Sequence, residues 1–181
     1  DLDRPRLRLA LGTGGDNLED KSKVRATVTI GGVEHVIGWL KEPHHDDFQQ
    51  NDVEELEELA NDSVHWVTLR LPLGTKLADV QKLKLELVQE DPGCQGQCDN
   101  WKLNRFEVYY LSRTQAARLY SKKANPYLHY FKAHYDNPPL ETPDWTVSLA
   151  PDGREVVDVE MTTGNDAVDD GKGWLALQYA G

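Results

Sequence analysis

With 31 acidic against 20 basic residues among 181, the chain carries a net charge of −11 at neutral pH. A surface of that sign repels the phosphates of nucleic acid, which excludes a generic nucleic-acid binder and favours cationic partners, metal ions above all. The length suffices for one sizeable core, but no apolar run approaches the roughly 18 to 20 residues of a membrane-spanning helix.

Taken in chain order, the expected elements are mostly strands. Leu7, Leu9 and Leu11 over 6–11, and Val24, Ala26, Val28 and Ile30 over 23–30, recur at every second position and so fall on one face of a strand. Residues 35–40 follow Gly31-Gly32, as in the second arm of a hairpin. The stretch NDVEELEELAND, 51–62, reads as a helix capped by Asn51 or Asp52, with Val53, Leu56, Leu59 and Ala60 on one face and a solvated acidic face opposite. Strands are expected again over 65–72, 82–89 and 104–111, then a second short helix over 112–120 ended by the KKANP break. Four further strand candidates lie at 128–133, 145–150, 155–161 and 173–179. Many short strands at regular spacing make this an all-β chain, an antiparallel β-sandwich with one or two short helices.

One short acidic pattern occurs twice. TGGDNLED begins at Thr13 and TGNDAVDD at Thr163, and the two align without a gap: Thr13 with Thr163, Gly14 with Gly164, Asp16 with Asp166 and Asp20 with Asp170. A hard cation such as Ca2+ takes six to eight oxygens at about 2.3 to 2.6 Å from carboxylates, amides and backbone carbonyls. The first turn offers Thr13, Asp16, Asn17, Glu19 and Asp20, with Leu18 as an apolar anchor between them; the second offers Asp166, Asp169 and Asp170 with the Thr163 carbonyl. The spacing is not that of an EF-hand. The plainer alternative is a glycine turn in which Asp16 accepts hydrogen bonds from nearby backbone N–H groups.

Cys94 and Cys98 stand in the loop CQGQC, close enough for a local disulfide and hence an extracellular, oxidising compartment; a zinc site would need two further soft ligands nearby. The opening DLDRPRLRL, without Met, reads as that of a processed protein or of a fragment of a longer one, and it has no signal-peptide pattern.

Three pieces in order, LALGTGGDNLEDKSKVRATVTIGG at 9–32, VTLRLPLGTKLADVQKLKLE at 67–86 and DNWKLNRFEVYY at 99–110, resemble the PLAT-domain family and its bacterial relatives with a Thr-Gly-Gly-Asp-Asp-Leu loop. The resemblance covers residues 1–111. It implies an eight-stranded sandwich serving as a non-catalytic targeting module of a larger secreted protein, binding a glycan, a lipid headgroup or another protein, often with calcium. The stretch HHDDFQQ with the acidic helix, and the loop GCQGQC, depart from the family pattern, so ligand specificity does not carry across. Residues 112–181 are then an additional strand region, either the start of a second similar module or strands that complete a sandwich.

Two other function classes compete. His44, His45, Asp46 and Asp47, or His129 with His134 and Asp136, are the constellations a small extracellular metal-dependent hydrolase would use, although a polar loop and a half-buried strand histidine explain them too. A structural interaction domain with metal-free acidic loops is the third reading. Tryptophan faces stack on sugar rings or enter a membrane interface. Core packing is expected of Trp39, Trp66 and Trp101, whereas Trp145 and Trp174, beside prolines and glycines, are the candidates for ligand contact.

Overall fold

The computed structural model describes residues 4–15, 18, 22–40, 61–89, 100–132, 144–154 and 156. The strands are β1 (Arg6–Thr13), β2 (Ser22–Ile30), β3 (Val33–Trp39), β4 (Val64–Arg70), β5 (Val80–Gln89), β6 (Trp101–Leu111), β7 (Ala116–Lys123), β8 (His129–Phe131) and β9 (Asp144–Ser148). They form two sheets. One runs β4-β1-β6-β7, with β8 also on β6, and the other runs β3-β2-β5-β9; every pairing is antiparallel.

Period-two alternation builds the core. Leu7, Leu9 and Leu11 of β1 and Val24, Ala26 and Val28 of β2 are fully buried, as are Leu83 and Leu85 of β5, while their polar neighbours point outward. The β2–β3 turn is Gly31-Gly32 with φ of 56° and 85°, the positive values that a two-residue turn matched to strand twist requires.

One expectation is corrected here. Residues 112–120 do not form a helix: Ser112 and Gln115 close a tight turn, with the Ser112 N–H donating to the Gln115 carbonyl at 2.8 Å, and β7 follows. Helix-favouring AARL is overridden because the free side of β6 accepts a strand, which buries Ala117 and Leu119. The only helical element among the described residues is a 3-10 turn, Leu77–Asp79. Beyond Leu111, β7 and β8 pair with β6 and β9 pairs with β5. Strands up to Ser148 thus belong to the same two sheets. The helix expected over 51–62 and the strands expected over 155–161 and 173–179 fall largely or wholly outside the described residues.

A bulge in β6 has local consequences. Gly12 pairs with Arg105 but Thr13 pairs with Leu103, so Asn104 is the extra residue. The buried phase of β6 shifts there, from Trp101 and Leu103 to Phe106, Val108 and Tyr110. Gly12 opposite has no room for a side chain: a Cβ would stand 2.5 Å from Asn104 Oδ1 and 2.6 Å from Arg105 Cβ.

Candidate functional site

The bulge lies against Thr13 and Gly14, the first residues of the acidic stretch 13–20. Thr13 is fully buried and every one of its polar groups is engaged. Its N–H donates to the Ser63 carbonyl (3.0 Å), its hydroxyl accepts from the Trp101 indole N–H (3.0 Å), and its carbonyl accepts from the Asn104 amide (3.3 Å). The Gly14 N–H donates to the Lys102 carbonyl at 2.7 Å. On the far side Leu18 is fully buried, in the core cluster. The turn is therefore held at both ends, by a hydrogen-bonded Thr13-Gly14 and by an apolar Leu18.

Asp16, Asn17, Glu19 and Asp20 lie outside the described residues, as do Thr163, Asp166, Asp169, Asp170, Trp174, Cys94, Cys98 and the histidines at 44, 45 and 134. Among the described residues no group of three or more His, Cys, Asp and Glu side chains could hold a metal ion. Thr13 is placed as an anchor, since its hydroxyl and its carbonyl are both occupied within the protein. Thr13→Val should strand the buried Trp101 N–H without an acceptor and lower stability by about 1–3 kcal/mol, whereas Thr13→Ser keeps the bond; urea denaturation midpoints would separate the two.

Trp145 is half-buried and faces inward, paired with the fully buried Leu85. Its ring stacks on His129 (5.6 Å between centroids, 9°), tilts against Phe106 (5.5 Å) and meets Tyr120 edge-on (6.2 Å). His129 meets Phe131 edge-on at 4.5 Å, and Phe131 stacks on Trp101 at 5.1 Å. An aromatic chain thus runs from the strand β9 that closes the second sheet to the indole that holds Thr13. Burial pushes the Tyr120 phenol above its usual pKa.

The outer face of the β4-β1-β6-β7 sheet carries a second group of polar and aromatic residues. Trp101 is fully buried, as expected, and Trp39 is partly buried, but Trp66 is 42% exposed, which corrects its assignment to the core. The physical reason is strand phase: Val67, Leu69 and Leu71 point inward, so Trp66 shares the outer face with Thr68 and Arg70. That phase was legible in HWVTLRL. Arg8 lies over the Trp66 ring at 5.1 Å and Tyr109 meets it at 5.9 Å. Behind them Glu107 accepts hydrogen bonds from the Tyr109 hydroxyl (2.7 Å) and Arg105 (3.1 Å), and Arg118 pairs with Asp152 (2.6 Å).

Partial burial raises the Glu107 pKa, but the hydrogen bonds from Tyr109 and Arg105 and the charges of Arg105 and Arg118 outweigh it and hold the carboxyl below the usual range. A carboxyl depressed in the folded state adds stability above its unfolded pKa, about 4.3, and that stability is lost as pH falls through the folded value. Glu107→Gln should therefore flatten the acid limb of a melting-temperature profile measured between pH 2 and 7.

Between the edge strands β3 and β4 lies a cleft of about 710 Å³ whose lining includes Arg4, Glu34, His35, Val36 and Arg70. Arg4 is fixed there by donating to the Leu71 carbonyl at 2.9 Å. No helix among the described residues is long and apolar enough to cross a membrane.

No protein-family model matches the chain, and no curated protein does. Among solved structures it is similar to a LOX deletion variant (TM-score 0.45, 11% identity) and to the same variant in complex with arachidonate (TM-score 0.47, 11% identity). Each match covers 81% of this chain, which spans only 16% of the LOX chain.

Proposed function

We propose that this chain is a non-catalytic recognition module of a larger secreted protein, whose turn 13–20 takes a calcium ion and whose surface binds a glycan, a lipid headgroup or another protein. The observation that carries the reading is the anchoring of that turn: Thr13 and Gly14 are tied to β6 and to Ser63 by backbone and side-chain hydrogen bonds, and Leu18 is sunk in the core. With Thr13, Gly14 and Leu18 held by the fold, ion binding would have less loop entropy to overcome, an entropy of roughly 1–2 kcal/mol per ordered residue.

The donor set fits a hard cation. Asp16, Asn17, Glu19 and Asp20 offer oxygen alone, and a bound calcium ion would neutralise carboxylates that otherwise repel one another. The second turn, with Asp166, Asp169 and Asp170, has the same chemistry and is a second candidate. Screening the protein against glycan and lipid arrays, with calcium or with chelator, tests the function. Retention on some array member that falls in chelator is expected; retention unchanged by chelator, or none at all, would contradict the reading.

A further inference from the structure

The two sides of the sandwich are finished differently. On one side a single segment crosses from sheet to sheet. There β9 pairs with β5, Leu149 donates its N–H to the Gln81 carbonyl (2.8 Å), and Ala150 and Asp152 then donate theirs to the carbonyls of Leu119 and Arg118 on β7 (both 3.1 Å). The edge of β7 is thereby covered. On the other side β3 and β4 end their sheets with no such crossing segment among the described residues, and the cleft of about 710 Å³ lies beside them.

Strand register says which backbone groups of β3 face that cleft. In a two-residue hairpin the closing pair, here Ile30 with Val33, exchanges both of its hydrogen bonds, and bonded pairs recur at every second position, so the next is Val28 with His35. The N–H and C=O groups of Glu34 and Val36 consequently point away from β2, and they have no partner among the described residues. Both residues line the cleft. β3 carries neither of the residues that commonly blunt an edge, Pro and Lys. The Glu34 carboxylate is drawn over the sheet toward Lys84 on β5 (3.8 Å), while Val36 and Val33 stand 63% and 58% exposed.

We infer that β3 takes up an extended peptide of another protein as a further strand, with an aliphatic or β-branched side chain beside Val36 and an acidic one opposite Arg4. The inference rests on the recognition-module reading and selects protein among its ligand classes. Main-chain groups supply the pairing, and alternate side chains of the added strand turn to opposite faces and supply the choice. One set lies beside Val36. The other turns to the wall that holds Pro72 and Arg4, whose Nε–H is fixed on the Leu71 carbonyl (2.9 Å) and whose terminal nitrogens have no partner among the described residues. A carboxylate meets such a guanidinium with charge-assisted hydrogen bonds. A second copy of this chain fits less well: Ile37 is an extra residue between the pairs Thr27–Val36 and Ala26–Gly38, so only 33–36 is regular, and two such short edges give each other few bonds. A free peptide adapts to the bulge.

The test selects a random heptapeptide library, displayed on phage, against the intact chain in calcium and in chelator, and measures synthetic copies of the enriched peptides by fluorescence polarisation. Enrichment of sequences that alternate β-branched residues and include Asp or Glu is expected. Val36→Pro removes one cleft-facing N–H and none of those bonded to β2, so it should weaken binding at least ~10-fold, as should N-methylation of alternate peptide amides. Arg4→Gln should weaken the acidic peptide at least ~5-fold and its amide counterpart far less. Thr146→Lys, at the other edge of the same sheet, should bind like the wild type. Melting curves check that each variant is folded; if Val36→Pro is not, Val36→Lys, which sets a charge on the edge, should give the same loss. No enriched peptide, binding indifferent to the Val36 variants, or a wild-type dimer that Val36→Lys dissociates would overturn the inference. If no peptide binds while a glycan or a vesicle is retained in calcium, the module reading stands and this edge is not its ligand site.

Discussion

Trp101→Ala should be the most damaging single substitution in the sandwich, lowering unfolding free energy by about 3–5 kcal/mol in urea titration. The indole is fully buried, stacks on Phe131 at 5.1 Å and donates its N–H to Thr13 at 3.0 Å. Truncation removes a large apolar volume beneath the β6 bulge and the first partner in the aromatic chain that reaches Trp145. Trp101→Phe isolates the polar part, with an expected cost of about 0.5–1.5 kcal/mol from the bond on top of a modest packing loss. Combining Trp101→Phe with Thr13→Val removes both partners at once, so the double variant should be less destabilised than the sum of the two singles. Additive costs would mean that the bond plays no part in holding the turn.

Leu18→Ala comes next, with an expected loss of about 2–5 kcal/mol. Leu18 is fully buried in a short acidic segment whose other residues are polar, so it is the one apolar group that fixes the distal end of the turn. Its effect should extend beyond stability. If the proposed calcium site depends on a preset backbone, Leu18→Ala assayed below its melting transition should bind calcium more weakly, while Leu149→Ala, a core truncation in the segment after β9, should lower stability without that effect.

Much of the sandwich was legible because a half-buried strand writes its inward face at every second position. Leu7-Leu9-Leu11, Val24-Ala26-Val28 and Leu83-Leu85 appear in the core as the alternation required, and Gly31-Gly32 makes the turn that joins β2 to β3. Leu18 was likewise readable as an anchor, since an isolated leucine among acids has few other roles. Two features escaped for a shared reason, that they are set by distant partners. Residues 116–123 carry helix-favouring side chains and become a strand only because β6 has a free side. The bulge at Asn104 has no local signature in KLNRF and arises from the register with Gly12 and Thr13. Trp66 escaped differently: large aromatics are usually assigned inward, although the leucines around it already fixed the opposite phase.

The measurement that bears most directly on the central claim is a calorimetric titration of chelator-treated protein with calcium, paired with melting curves in calcium and in chelator. A saturable heat is expected, along with a raised melting temperature, because an ion that binds only the folded state stabilises it by about 2.7 kcal/mol at a hundredfold excess over Kd. Asp16→Ala should blunt both signals. No heat of binding, with superimposable melting curves for the wild type in calcium and in chelator, would contradict the account.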